Sequence, residues 1–159
     1  MKPYLNIFDI DEYKINNNGG FSEKYFSISE KIGAKKLGYS ITIIEPGFKV
    51  CPFHNHHINE EMFLILEGRG TLRFGPDKYE IKKGDIIACP PGGQEVAHQI
   101  INTGTESLKY LCLSTNEPVD ICEYPDSNKV LSSVGTQDNR SFRHIARLGD
   151  IVDYFENEK

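Results

Sequence analysis

The sequence predicts an all-β fold, a sandwich or barrel of short strands, and three observations lead to it. Short apolar or alternating runs recur between turn signals at intervals of about eight to twelve residues, the spacing of strands in such folds. The runs are rich in β-branched and aromatic residues, as in Lys36 to Glu45. The punctuation between them is turn chemistry: Asn16-Asn17-Asn18-Gly19-Gly20, Pro46-Gly47, Gly75-Pro76-Asp77-Lys78 and Pro90-Pro91-Gly92-Gly93.

Taken in order, Ile7 to Ile15 has some amphipathic character and is closed off by the Asn/Gly turn. Lys24 to Ile28 alternates, Lys36 to Glu45 reads as a full strand, and Phe48 to His56 leads into a histidine cluster. Met62 to Leu66 is too short for an independent helix and ends at Glu67-Gly68, so it reads as a buried strand. Thr71 to Phe74 and Tyr79 to Ile81 flank a hairpin turn. Ile86 to Cys89, Val96 to Asn102 and Leu108 to Leu113 are three further strands. Ile121 to Val130 reads as an extended arm with a turn, and Arg147 to Glu158 as either a short helix or a final strand.

Length and charge bound the function. The 159 residues predict one domain, 1–159, with a core barrel over about 36–114, an N-terminal arm at 1–23 and a C-terminal extended arm at 115–159. A net charge of −5, with Lys and Arg scattered, excludes a nucleic-acid footprint. No run approaches the roughly 18 apolar residues of a membrane helix. No apolar signal core opens the chain, so the expectation is a cytoplasmic protein without membrane contact. Cys51, Cys89, Cys112 and Cys122 are widely spaced, which excludes zinc-finger and thioredoxin-like motifs and predicts free thiols.

The chemistry concentrates between His54 and Gly68. His54 and His56, one residue apart, share a face of an extended strand, and Glu61 follows at the head of the apolar run. Imidazoles with a carboxylate form a mixed nitrogen/oxygen set suited to a divalent transition metal. Parity turns Asn55 and His57 to the other face. Parity does not choose between Glu60, which shares a face with Met62 and Leu64, and Glu61, which shares one with Phe63 and Ile65. A strand apolar on both faces needs cover on its outer side, from the N-terminal arm or a symmetric partner.

These residues resemble the two sequence motifs of the cupin superfamily. The first is carried by Gly47, His54-x-His56, Glu61 and Gly68, with one extra residue in its first spacer. The second is carried by Gly84, Pro90-x-Gly92, His98 and Asn102, with five residues between Gly92 and His98 where two are common. The shorter spacing would select Glu95 in place of His98. The resemblance extends to the small single-domain members in which Tyr124-Pro125-Asp126 lies in an arm after the barrel.

The resemblance implies a double-stranded β-helix, or jelly-roll barrel. It also implies one divalent metal (Fe, Mn, Zn, Ni or Co) held by His54, His56, Glu61 and His98. Glu95, Tyr39, Tyr110 and Cys51 are candidates for groups beside the metal or in contact with substrate, and Tyr79 is a weaker one. Neither Ser40 nor Ser114 has a nucleophile-elbow context, so covalent serine catalysis is unsupported. The expected function is a metal-dependent enzyme acting on a small molecule by oxygenase, isomerase or hydrolase chemistry. The alternative is a non-catalytic module that binds a sugar or an organic anion. A homodimer is the expected assembly.

Overall fold

The computed structural model describes residues 2–136 and 139–158. The chain is nearly all β. The strands are β1 (Lys14–Asn18), β2 (Phe21–Ser27), β3 (Leu37–Ile44), β4 (Asn55–His56), β5 (Glu61–Glu67), β6 (Arg69–Phe74), β7 (Asp77–Lys82), β8 (Ile86–Cys89), β9 (His98–Ile101), β10 (Leu108–Thr115), β11 (Val119–Tyr124), β12 (Lys129–Thr136) and β13 (Asn139–Arg147). A single helical turn, α1 (Ser29–Ile32), separates β2 from β3 and ends on Gly33 in the left-handed conformation.

One layer is a six-stranded sheet in the order β1-β2-β3-β10-β5-β8. The other is made of β13-β12-β11-β4 and β7-β6-β9, which meet where His54 bridges His98. Both layers fill the interior. Ile44, Phe63, Ile65, Ile87, Leu108 and Tyr110 come from the six-stranded sheet, and Leu72, Ile81 and Ile100 from the opposing strands. Every strand pairing is antiparallel, which gives the jelly-roll barrel that the sequence resemblance implies.

The strand readings hold with instructive differences. Ile86 to Cys89 is a strand, but Ile86 is exposed and Ile87 buried, because β8 is the edge of its sheet. The hairpin between β6 and β7 turns on Gly75-Pro76 alone. Residues 14–23 of the N-terminal stretch pair into the six-stranded sheet through β1 and the start of β2. Beyond Arg147, the end of β13, the chain makes turns up to Glu158, neither a helix nor a further strand.

The N-terminal stretch also supplies outer cover. Ile41 points away from the barrel interior yet is fully buried. It pairs with Phe26, against which Tyr13 packs edge-on at 6.3 Å, and Phe8 lies beneath Lys109 of β10.

Two polar devices hold the loops. Asn102 is fully buried, and its Nδ2 donates to the carbonyls of Ile44 (2.7 Å) and Glu106 (2.9 Å). Its Oδ1 accepts from Gly104 N, and its backbone pairs with Gly47 and Phe48. The last residue of the second motif is therefore a loop staple. Glycine at 68 has a physical cause: φ is +79°, and a Cβ there would meet Ser107 O at 2.5 Å.

The second device is a clamp on the Tyr124-Pro125-Asp126 turn. Arg73 of β6 donates to both carboxylate oxygens of Asp126 (2.7 and 2.9 Å) and to Gln99 Oε1 (3.0 Å), and its guanidinium lies 4.1 Å from the Phe53 ring centre. Gln99 in turn donates to Cys51 O (2.8 Å). One guanidinium thus joins the core sheet, the turn after β11 and the segment that enters His54.

Two predictions follow from these devices. Asn102→Ala is expected to cost about 2 kcal/mol, because it strips buried carbonyls of their donor, read as a lower denaturant midpoint at unchanged slope. The Arg73→Ala/Asp126→Asn double-mutant cycle should give a coupling of about 0.5 kcal/mol, small because Asp126 is half exposed. The hydrogen bond from Arg73 holds the Asp126 carboxyl below its ordinary value of 3.8 in the folded chain. That coupling is therefore fully present at neutral pH and fades as pH falls below that value, where the unfolded chain takes up the proton first.

Candidate metal centre

Strand pairing builds the site. His54 and His98 face each other across an antiparallel bridge, His54 N donating to His98 O (3.1 Å) and His98 N to His54 O (2.7 Å). His56 follows two residues on, in β4. Glu61 opens β5 in the opposite sheet, with Phe63 and Ile65 below it on the inward face. The spacer between Gly92 and His98 is taken up by a turn of 3-10 helix at Gln94–Val96, which lets His98 enter β9 in register with His54.

The side chains converge on one carboxylate oxygen. Glu61 Oε2 lies 2.9 Å from His98 Nε2, 3.6 Å from His56 Nε2 and 3.8 Å from His54 Nε2. The other ring nitrogens are all occupied: His54 Nδ1 faces Pro52 O at 2.9 Å, His56 Nδ1 faces Asp120 Oδ2 at 2.5 Å, and His98 Nδ1 faces Val96 O at 3.3 Å. A ring nitrogen against a carbonyl or carboxylate carries the proton, so each Nε2 is left with its lone pair. Lone pairs aimed at a carboxylate repel unless a proton or a cation lies among them. The donor set therefore fits a divalent metal.

The electrostatics show the same demand for positive charge among these groups. Burial alone would raise the Glu61 carboxyl, but the imidazoles of His54, His98 and His56 around it outweigh that and hold it well below the carboxylate range. For His54, burial pulls downward, and Cys51 and Glu61 outweigh it to leave the imidazole well above its ordinary value. Asp120 is likewise opposed by burial, yet it is held low by hydrogen bonds from His56 and Asn59.

The other candidates fall in different places. Cys51 Sγ lies 3.6 Å from His54 Nδ1. Tyr39 lines a cavity of about 500 Å³ that Glu61 also lines. Tyr110 is buried edge-on against Phe63 as a core residue. Glu95 is exposed and accepts from Gly93 N, capping its own loop away from the histidines. Tyr79 is exposed on β7. His57 pairs with Glu123 on the outside, and Glu60 is exposed with its amide on Thr115 Oγ1.

The sequence reading missed β11. Asp120, Cys122 and Tyr124 face inward while Val119 and Ile121 face solvent, so the strand's polarity is inverted. Asp120 orients His56 and also accepts from Asn59 Nδ2 (2.9 Å) and the amide of Ile58 (3.2 Å). Cys122 sits directly across the ladder from His56, and the Tyr124 ring stacks at 6.2 Å from that of His54. The alternation of Val119 to Tyr124 was available as a signal, but it reads as an apolar face turned inward.

Comparison with known proteins agrees with this geometry. A family model described as a cupin domain matches residues 40–114. An uncharacterised protein of Methanocaldococcus jannaschii is 42% identical over 92 residues, covering 55% of this chain and 70% of that one. Auxin-binding protein T92 of Nicotiana tabacum is 30% identical over 130 residues, 76% of this chain and 68% of its own. Among solved structures, a protein put forward as a sugar phosphate isomerase from Acidithiobacillus ferrooxidans superposes with a TM-score of 0.83 at 27% identity, covering 96% of each chain. A sugar phosphate isomerase of the cupin superfamily from Silicibacter pomeroyi does so at 0.77 and 20% identity, covering 96% of this chain and 98% of that one, a likeness of fold. Motifs, barrel and relatives converge: the chain belongs to the cupin superfamily.

Proposed function

We propose that this cupin is a metal-dependent enzyme that isomerises a small, hydroxyl-rich substrate of the sugar phosphate class. The observation that carries the reading is the convergence of three imidazoles on Glu61, which also lines a cavity of about 500 Å³. That volume suits a small metabolite. Its wall includes the hydroxyls of Ser27, Ser40 and Ser114 as hydrogen-bond partners for a polyol, and Lys35, beside Glu30, as a cation for a phosphate. The likeness at 27% identity over 96% of both chains to the Acidithiobacillus ferrooxidans protein supports the same class.

His54, His56, Glu61 and His98 would hold the metal, which when bound supplies a Lewis acid able to polarise a carbonyl. The chain's own residues do the rest. Asp120, Pro52 O and Val96 O keep the imidazole protons on Nδ1 and the rings aimed inward. Phe63 and Tyr110 close the floor and keep water from below. An aldose–ketose interchange is redox-neutral, so it requires no co-reactant beyond the metal and the substrate.

A second reading, a binding module for a small organic anion, is favoured by the 30% identity to auxin-binding protein T92. The two readings separate in one experiment. Metal-loaded protein incubated with pentose and hexose phosphates in D2O should interconvert aldose and ketose and place deuterium on the carbon beside the carbonyl. Ligand-induced thermal stabilisation without exchange would overturn the enzyme reading in favour of the binding module.

Two further outcomes are expected. Protein purified without chelator should carry about one metal per chain, lost in His54→Ala/His56→Ala, by elemental analysis. Asp120→Asn should fold and keep all four ligands yet bind the metal about 10- to 100-fold more weakly, by competition with a chromogenic chelator, because His56 loses the group that fixes its tautomer.

A further inference from the structure

The donor atoms form two groups. His54, Glu61 and His98 each offer an atom within 4.8 Å of the others, and so do His54, His56 and Cys122. Both groups contain His54, and His56 Nε2 is 3.6 Å from Glu61. Cys122 is 3% exposed, it stands opposite His56 in the β4–β11 ladder, and its Sγ meets the Tyr124 hydroxyl and makes a long contact, 3.9 Å, to Glu123 O. It borders a second cavity, of about 220 Å³, together with His56, Asp120 and Arg140.

Resting on the reading that these histidines hold a metal, we propose that the centre has a second donor set, His54–His56–Cys122, which binds thiophilic divalent ions (zinc, cobalt or cadmium) through sulfur. The mixed set of two imidazoles and a thiolate suits borderline-soft cations, whereas a hard ion such as Mn²⁺ is served by the nitrogen and carboxylate donors of His54, Glu61 and His98. The step balances simply: the Cys122 S–H bond breaks, an S–metal bond forms, and one proton leaves to solvent with no change of oxidation state. Asp120 serves this second set, since it orients His56 from the same inward face of β11 that carries Cys122. The identity of the bound ion then determines which residues surround it.

The test is cobalt(II) loaded into the full chain, comparing the wild type with Cys122→Ser and His98→Ala. The expected result is a near-ultraviolet thiolate-to-cobalt charge-transfer band in the wild type and in His98→Ala, absent from Cys122→Ser, which still binds cobalt with visible ligand-field bands. Bound cobalt without that band in the wild type, or a band surviving Cys122→Ser (sulfur then coming from Cys51), overturns the second donor set and leaves the metal centre standing. Failure of the wild type to bind cobalt at all overturns both. Should Cys122→Ser not fold, the wild type still answers. Cobalt should slow alkylation of Cys122 at least tenfold in peptide mapping, and unchanged alkylation at full cobalt occupancy overturns the proposal.

Discussion

The site depends on one pair of backbone hydrogen bonds, those between His54 and His98. They splice β4 and its neighbours onto β9 and so turn two short sheets into one barrel wall. The same two residues carry two of the imidazoles, so the contact that closes the barrel also sets the spacing of those rings. Residues facing each other in an antiparallel ladder are held within a few ångströms on one face, which is the reach a metal ion needs. Glu61 comes from the other layer, and its distance to the histidines is set by the thickness of the apolar packing between the sheets. Phe63, which follows Glu61 on the inward face, packs 5.8 Å from the His98 ring and transmits that thickness.

Much of this was legible in the sequence, and for identifiable reasons. Alternation located β2 and β9, β-branched and aromatic richness located β3, and short apolar runs between Gly and Pro turns located β5, β8 and β10. His-x-His on an extended segment put two imidazoles on one side, and the spacing to Glu61 matched the family pattern, while the spacer before His98 departed from it and left Glu95 as a rival. What stayed hidden was long-range or inverted. Asp120 lies 64 residues from His56, and no local pattern joins them. Val119 and Ile121 face solvent while Asp120 and Cys122 face in, the reverse of the rule used to read every other strand. Arg73 has no local partner in its strand, and only the folded chain brings it to Asp126 and Phe53.

Asn102 and Glu95 show how a motif mixes roles. The first motif-like residue after His98 stabilises a loop from beneath, and Glu95, which a shorter spacer would select, caps a surface turn. Spacing alone does not separate ligand from staple. Partner atoms do: ligands converge on a shared point with their second nitrogen satisfied, and staples end on backbone carbonyls.

The mouth of the barrel carries the argument about function furthest. The larger cavity reaches the centre from the Glu61 side, and the smaller one from the side of His56 and Cys122. Ser114, Thr115 and Asn116, at the end of β10, line both, so the strand that pairs with Glu61 also separates the two approaches. A fold shared by many chemistries does not choose a reaction. The larger cavity's wall carries serine and threonine hydroxyls beside Lys35 and Glu30, with Tyr25, Ala34 and Leu37 as its apolar part. The Cys122 thiol lies on the approach lined by His56 and Asp120 and does not line the larger cavity.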